Sequence, residues 1–261
     1  MGRVWPRHGH RARPLNSVVR RLASRMPVIN EQNLEQSWAS LPRLARAAIE
    51  QQWAGLAAGG LPCGSAVGNA DNHLIAAGRN HAYDPAGGIQ TRLQHPLQHS
   101  RLAHAELNAL ASIPTETDHA DLTLWTTQHP CLMCAAALQF VGVGKVIFIA
   151  DDPSDDSPSE AIAARRGSVP YECLASPLWW TICNVLFLYN SAVRQGVSAR
   201  NLKLNRARYP DLVSLTIALA KDDVLGHSAR SGIEVVPTLA PHYSALARVA
   251  EVQVPKGSND A

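Results

Sequence analysis

Between residues 104 and 134 the chain places four side chains of the kinds that hold a metal and move protons: His104, Glu106, Cys131 and Cys134. They fall in two short segments, His104-Ala105-Glu106 and Pro130-Cys131-Leu132-Met133-Cys134, with 23 residues between Glu106 and Pro130. Cysteines three apart at the start of a helix project from one face and reach a single ion. The helix start favours their thiolate form, and Pro130 suits the passage from strand to helix. His104 adds an imidazole from a separate helix start, and a mixed sulfur and nitrogen set is the natural choice of Zn2+. A structural zinc site would carry a fourth Cys or His at motif spacing, and Cys63, Cys173 and Cys183 have no such spacing. The fourth position is thereby left open, the mark of a catalytic zinc that activates water. Glu106, two residues from a ligand, is placed to take a proton from that water and hand it to a departing amine. The chemistry is hydrolysis at an amidine-like carbon with release of ammonia, the backbone N–H groups of Ala105 or Cys131 facing the developing charge.

The elements that must position these residues are read from periodicity. A helix is predicted from Leu41 to Ala57, capped by Ser40 and ended by Gly59-Gly60, with Leu41, Leu44, Ala48, Trp53 and Leu56 on one face. Strands follow at Gly64 to Asn69 and Leu74 to Gly78 around a turn at Ala70-Asp71-Asn72. Arg79 to Ala103, with His81, His95 and His99, is a long loop of the kind that forms lids or binding loops. His104 opens a short helix with Leu107, Leu110 and Ala111 inward, Leu122 to Thr127 is a strand, and Cys131 to Val141 a helix. Lys145 to Ala150 is a continuous apolar run expected for an interior strand. A helix at Ser159 to Arg166 and a strand at Val169 to Leu174 complete an α/β sandwich with the site at helix starts. Beyond Pro177 the pattern is helical, at Leu178 to Gln195, Pro210 to Leu225 and Pro241 to Glu251. This segment packs on the core, shapes the pocket or makes a dimer contact.

Composition bounds the remaining readings. With 46 % hydrophobic residues the 261-residue chain can bury a full core without staples. Its stretch from Leu178 to Val193 carries no charge but includes Thr181, Asn184, Asn190 and Ser191, and is read as a buried helix rather than a membrane span. The net charge of +3 hides an asymmetry: seven arginines and no acid lie within residues 1–30. Without them, 17 basic residues face 21 acidic ones, a net of −4, which argues against a phosphate-binding surface. Residues 1–30 are a disordered Arg-rich tail, a transit-like segment, a nucleic-acid arm, or a mis-assigned start with Met26 as the first residue. Residues 31–176 form the zinc site's domain and 177–261 a helical extension, its end from Val254 disordered. Five cysteines and no cleavable apolar leader fit a reducing, cytoplasmic setting.

H-x-E followed by P-C-x-x-C is the signature of the zinc deaminases, and residues 41 to about 174 resemble the cytidine deaminase-like superfamily. The likeness extends to Leu107, Ala109 and Leu110, and to Leu138. The phrase Thr-Thr-Gln-His-Pro-Cys-Leu-Met-Cys is most similar to the branch holding guanine deaminases and tRNA adenosine deaminases. The resemblance implies a three-layer α/β/α sandwich, zinc on His104, Cys131 and Cys134, and proton shuttling by Glu106. It also implies that Asn80, at the end of Ala77-Gly78-Arg79-Asn80, holds the base, and that the protein forms homo-oligomers. Departures fall where substrate choice is made. Ser100-Arg101-Leu102-Ala103 stands where the branch has Asp-Pro-Thr, His129 stands for Glu, Asp151-Asp152 follow a strand near the pocket mouth, and the helices past 176 are additional. The leading expectation is a hydrolytic deaminase of a nucleobase, nucleoside or related small heterocycle. A tRNA-editing adenosine deaminase and a non-catalytic zinc-holding interaction protein are the alternatives. The acidic folded part favours a small substrate over nucleic acid.

Overall fold

The computed structural model describes residues 29–84, 97–164 and 166–252. Most of the Arg-rich segment with Met26, the middle of the loop with His95, and the C-terminal tail lie outside them. The chain enters through α1 (Leu34–Ser40) and α2 (Arg43–Ala57), then makes a hairpin of β1 (Gly64–Gly68) and β2 (Leu74–Arg79). It goes on as α3 (Ala105–Leu110), β3 (Thr123–Gln128), α4 (Leu132–Val141), β4 (Lys145–Ala150), α5 (Ser159–Ala164) and β5 (Tyr171–Cys173). The rest is helical: α6 (Pro177–Gln195), α7 (Arg200–Arg208), α8 (Pro210–Ala220), α9 (Val224–Arg230), α10 (Val235–Leu239) and α11 (Tyr243–Val252).

The strands form a five-stranded sheet in the order β2-β1-β3-β4-β5. β1 is antiparallel to β2 and β3, whereas β3, β4 and β5 run parallel. Alternate side chains of a strand point to opposite faces, and here each face has its own apolar cluster. Ala66, Trp125, Ile147 and Ile149 meet α2 and α6 on one side; Val67, Leu124 and Val146 meet Ala109 and Leu110 of α3 and Leu138 of α4 on the other. This is the three-layer α/β/α sandwich. Strands covered on both faces read as apolar runs, and Lys145–Ala150 is buried from Val146 onward.

Several boundaries differ from the sequence expectation. The first helical region is two helices: Asn33 caps α1 through its side chain, while Ser40 instead donates to Ser37 O and accepts from Asn30 N. Pro42 sits at the cap position of α2 with no side-chain cap. The expected inward set of α3 is corrected as well, because the helix spans only six residues and Ala111 is its exposed C-cap. Its buried face is Ala105, Glu106, Ala109 and Leu110, with Leu107 half-buried. The helix expected from Pro210 to Leu225 breaks at Asp223, which adopts a left-handed φ of 48°.

α6 is buried on nearly every side, with Leu178, Trp179, Ile182, Val185, Leu186 and Leu188 in the interior. It packs against β4, β3 and α2, and is covered by α8 and α11. No helix among the described residues is long and apolar enough to cross a membrane. A buried polar network ties α6 to the strand end nearest the site. Gln128 Nε2 and Gln52 Nε2 each donate to Cys183 O at 3.0 Å, Thr127 Oγ1 donates to Gln128 Oε1 at 2.6 Å, and Gly64 N donates to Thr127 Oγ1 at 3.1 Å.

Candidate active site

His104 and Cys131 occupy equivalent places, each the N-cap of a short helix whose side chain makes no capping bond and is therefore free to face the other. Glu106 and Cys134 follow in the first turns of α3 and α4. His104 Nδ1 lies 3.5 Å from Cys131 Sγ and 3.5 Å from Cys134 Sγ, and the sulfurs are 3.6 Å apart. Tetrahedral zinc with bonds of about 2.3 Å to sulfur and about 2.0 Å to nitrogen requires roughly 3.8 Å between sulfurs and roughly 3.5 Å from sulfur to nitrogen. The residues present thus fit the ion in type and in spacing. Among the described residues, His104, Cys131 and Cys134 form the group that could hold a metal ion, with their donor atoms all within 4.8 Å of one another.

The electrostatics are those of coupled, mostly buried groups. A hydrogen bond from Cys134 lowers Cys131 to about 4 against the opposing effect of burial, and His104 adds to the lowering. Cys134 is raised by the same shared proton and by burial. His104 is raised, first by its hydrogen bond to Cys131, with burial opposing. Glu106 is 7 % exposed, and burial pushes its carboxyl up to about 7 although its own backbone N–H and His104 favour the anion. Cys63 is held well above the usual thiol range by burial and by the charge of Glu106, as befits an inert thiol beside the site rather than a ligand.

Two elements fix where α3 lies. Gly78 of β2 is where the helix crosses: a Cβ there would stand 2.5 Å from Ala109 N and 2.6 Å from Ala105 O. Asn108, which the sequence reading passed over, donates from Nδ2 to Arg79 O at 2.8 Å and Ala103 O at 3.2 Å, stitching the end of β2 to the start of the helix. Asn80 sits at that strand end, 2 % exposed. Its backbone N–H donates to Cys63 O at 3.0 Å, and its Oδ1 accepts from Ala82 N at 2.9 Å. Ala105 is fully buried as the first residue of α3.

Asp84 clamps the segment after Asn80. Its carboxylate accepts from both Nη atoms of Arg79, at 2.7 and 2.8 Å, and lies 2.8 Å from His81 Nδ1. Burial alone would raise this carboxyl, but the Arg79 hydrogen bond and charge outweigh it and hold it below the ordinary value. His81 and His99 stand apart from the three donors. His129, in the place of the branch's Glu, packs edge-on to Phe148 and stacks on Tyr171, with ring centroids 4.8 and 5.4 Å away. Asp152 accepts from Ser154 N and Oγ, and burial raises its carboxyl.

Residues 39–150 match the family described as the cytidine and deoxycytidylate deaminase zinc-binding region. A cytosine deaminase of Candida albicans (strain SC5314 / ATCC MYA-2876) is 30 % identical over 103 residues, which are 38 % of this chain and 59 % of that protein. The chain therefore spans less than two thirds of that relative's length. The chain is also similar to a solved guanine deaminase of Nitrosomonas europaea, at 25 % identity and a TM-score of 0.40 over 56 % of this chain and 82 % of that one. Similar too is Acinetobacter baumannii RibD, at 21 % identity and a TM-score of 0.39 over 64 % of this chain and 41 % of that one. Both motif segments, His104 to Glu106 and Pro130 to Cys134, lie inside the stretch that matches the cytidine and deoxycytidylate deaminase zinc-binding region.

Proposed function

We propose that this chain is a zinc-dependent hydrolytic deaminase that replaces an exocyclic amine by oxygen on a nucleobase, nucleoside or related small heterocycle. The observation that carries the reading is the convergence of His104 Nδ1, Cys131 Sγ and Cys134 Sγ at tetrahedral spacing, with a buried carboxyl, Glu106, that is not one of the three donors. Zinc held by these residues would supply Lewis-acid activation of water at neutral pH.

The chain's own residues supply the remainder. Glu106 accepts a proton from the attacking water and delivers it to the leaving amine, its burial in the first turn of α3 keeping the proton available to both. His104 and Cys131, as helix N-caps, direct the N-terminal dipole ends of α3 and α4 toward the reacting carbon, where Ala105 N–H and Cys131 N–H face developing negative charge. Asn80, buried at the end of β2, would orient the ring. Ammonia is the leaving group.

A small heterocycle as substrate agrees with the acidic balance of the chain beyond residue 30. All five cysteines are free, which suits a reducing compartment such as the cytoplasm. A homo-oligomer would cover the outer side of α4, where Leu132 is 62 % and Phe140 is 91 % exposed.

The test is ammonia release from a panel of bases, nucleosides, nucleotides and a tRNA anticodon stem, with wild type beside Glu106→Ala. The variant is expected to keep its zinc and lose at least about a hundredfold in turnover. Turnover unchanged in Glu106→Ala would overturn the mechanism.

A further inference from the structure

Asn80 and His104 stand at opposite ends of the long loop, yet the peptide group entering each is bound by the same side chain. That side chain is Asn108, which reaches back from α3. Its Nδ2 donates to Arg79 O at 2.8 Å and to Ala103 O at 3.2 Å, the carbonyls of the residues just before Asn80 and His104. A terminal amide nitrogen carries two N–H donors, so both are spent on these two peptides. The bridge joins the strand end bearing Asn80 to the helix start bearing a metal donor.

The two peptides depend on it unequally. β2 is an edge strand of the sheet. Asn80 N–H points inward and donates to Cys63 O at 3.0 Å. A trans peptide turns its C=O away from its N–H, so Arg79 O faces the open edge, where a partner must come from outside the ladder. Asn108 is that partner. With both ends of the peptide held, its plane is fixed, and so is the direction in which Asn80 leaves the backbone. The peptide entering His104 has further support. Ala103 O also accepts from His81 N at 2.9 Å, and His104 N donates to Leu102 O at 2.7 Å. Loss of the Asn108 amide therefore falls on Asn80 before it falls on His104.

We propose that Asn108 is a positioning residue: it sets the bearing of Asn80 relative to His104 and acts on substrate binding through Asn80, without touching the substrate. The inference rests on the deaminase reading above, in which Asn80 would orient the ring. Two replacements isolate the bridge. Leucine keeps the bulk and suits a helix, and aspartate keeps the shape but sets an oxygen where the two N–H donors stood. Neither can hold the two carbonyls.

The experiment is a double-mutant cycle read by calorimetry on the zinc-loaded Glu106→Ala chain, which binds without turning over. Cytosine, guanine, adenine and their nucleosides are the titrants. For the compound bound tightest, Asn108→Leu and Asn80→Ala are each expected to weaken binding about tenfold. Together they should weaken it no more than about twofold beyond Asn80→Ala alone, because Asn108 then has nothing left to position. Asn108→Asp at about pH 8, where its carboxylate is ionised, should match Asn108→Leu, and zinc content should equal the parent's in every variant. Additive losses in the cycle, full affinity in either single variant, or loss of zinc from Asn108→Leu would overturn the proposal. If Asn108→Leu fails to fold, Asn108→Ser, too short to reach either carbonyl, takes its place in the cycle. A coupled cycle without ammonia release by wild type upholds the role of Asn108 and overturns the deaminase reading. Ammonia release with an additive cycle does the reverse, and binding of none of the compounds overturns both.

Discussion

At the residue scale the three donors and the Asp84 clamp answer to different measurements. His104, Cys131 and Cys134 are brought within 4.8 Å from two separate helices, so an ion held there crosslinks α3 to α4. Cys131→Ser or Cys134→Ser is expected to drop zinc from about one per chain to near zero by atomic absorption, and to lower the melting temperature, since metal binding is linked to folding. Stoichiometric zinc in both variants would show the ligand assignment to be wrong. Asp84 reports through pH. Its folded carboxyl lies below the ordinary value, so its ionised form stabilises the fold. That stability is fully present above the unfolded-state value of about 3.9 and is lost as pH falls through the lower folded value. Asp84→Asn is therefore expected to cost about 2 kcal/mol near neutrality, with Arg79 left without its carboxylate. Urea midpoints of the two proteins should converge only below about pH 4; a constant gap down to pH 2 would assign the cost to packing instead of charge.

At the scale of elements, the position of α3 is set by the absence of a side chain. Gly78→Ala would drive a methyl into the backbone of Ala105 and Ala109, neither of which is a flexible tip able to give way. The helix carrying His104 and Glu106 must move off β2. The expected outcome is a loss of about 1–3 kcal/mol in stability, together with zinc that exchanges faster with a chelator; chelation at the wild-type rate would mean that α3 is held from elsewhere. Elements with strong internal signals were legible from the residues alone. Lys145–Ala150 reads as a strand because it is buried on both faces, and Cys131–Val141 reads as a helix because Cys134, Ala135 and Leu138 recur on one side. α7 left no such signal: of its nine residues only Leu202 and Asn205 are buried, so its apolar period is absent. The break between α8 and α9 was hidden too. Asp223 takes a left-handed conformation with no Gly or Pro to announce it, held by Tyr189 OH at 2.8 Å and by Arg230. In the site, the motif residues were visible through spacing, whereas Asn108 was not. A single asparagine declares nothing until tertiary contact shows which carbonyls it bridges.

At the scale of the whole molecule, the segment after residue 176 is distinct in sequence from the motif-bearing one, yet the two are not separate in packing. Leu44, Ile49 and Trp53 of α2, Trp125, Ile147 and Ile149 of the sheet, and Leu178, Trp179, Leu186 and Leu188 of α6 belong to one continuous apolar cluster. The polar links run the same way: Trp179 Nε1 donates to Ser37 Oγ at 2.8 Å, Trp53 Nε1 to Ile233 O at 2.9 Å, and Gln128 Nε2 to Cys183 O at 3.0 Å. Without α6 that face of the sheet would lose its cover, and the network at the end of β3, two residues before Pro130, would lose the Cys183 carbonyl it converges on. Truncating a side chain in α6 must therefore be felt at His104, Cys131 and Cys134. Leu186 is fully buried at the centre of this cluster, so Leu186→Ala is expected to cost about 2–5 kcal/mol. Followed in urea by circular dichroism and by release of zinc to a coloured chelator, the variant should show both transitions shifted together to lower denaturant, because the helix and the site share one cooperative unit. If zinc release kept its wild-type midpoint while the helical signal fell early, the segment past 176 would be an independently stable domain.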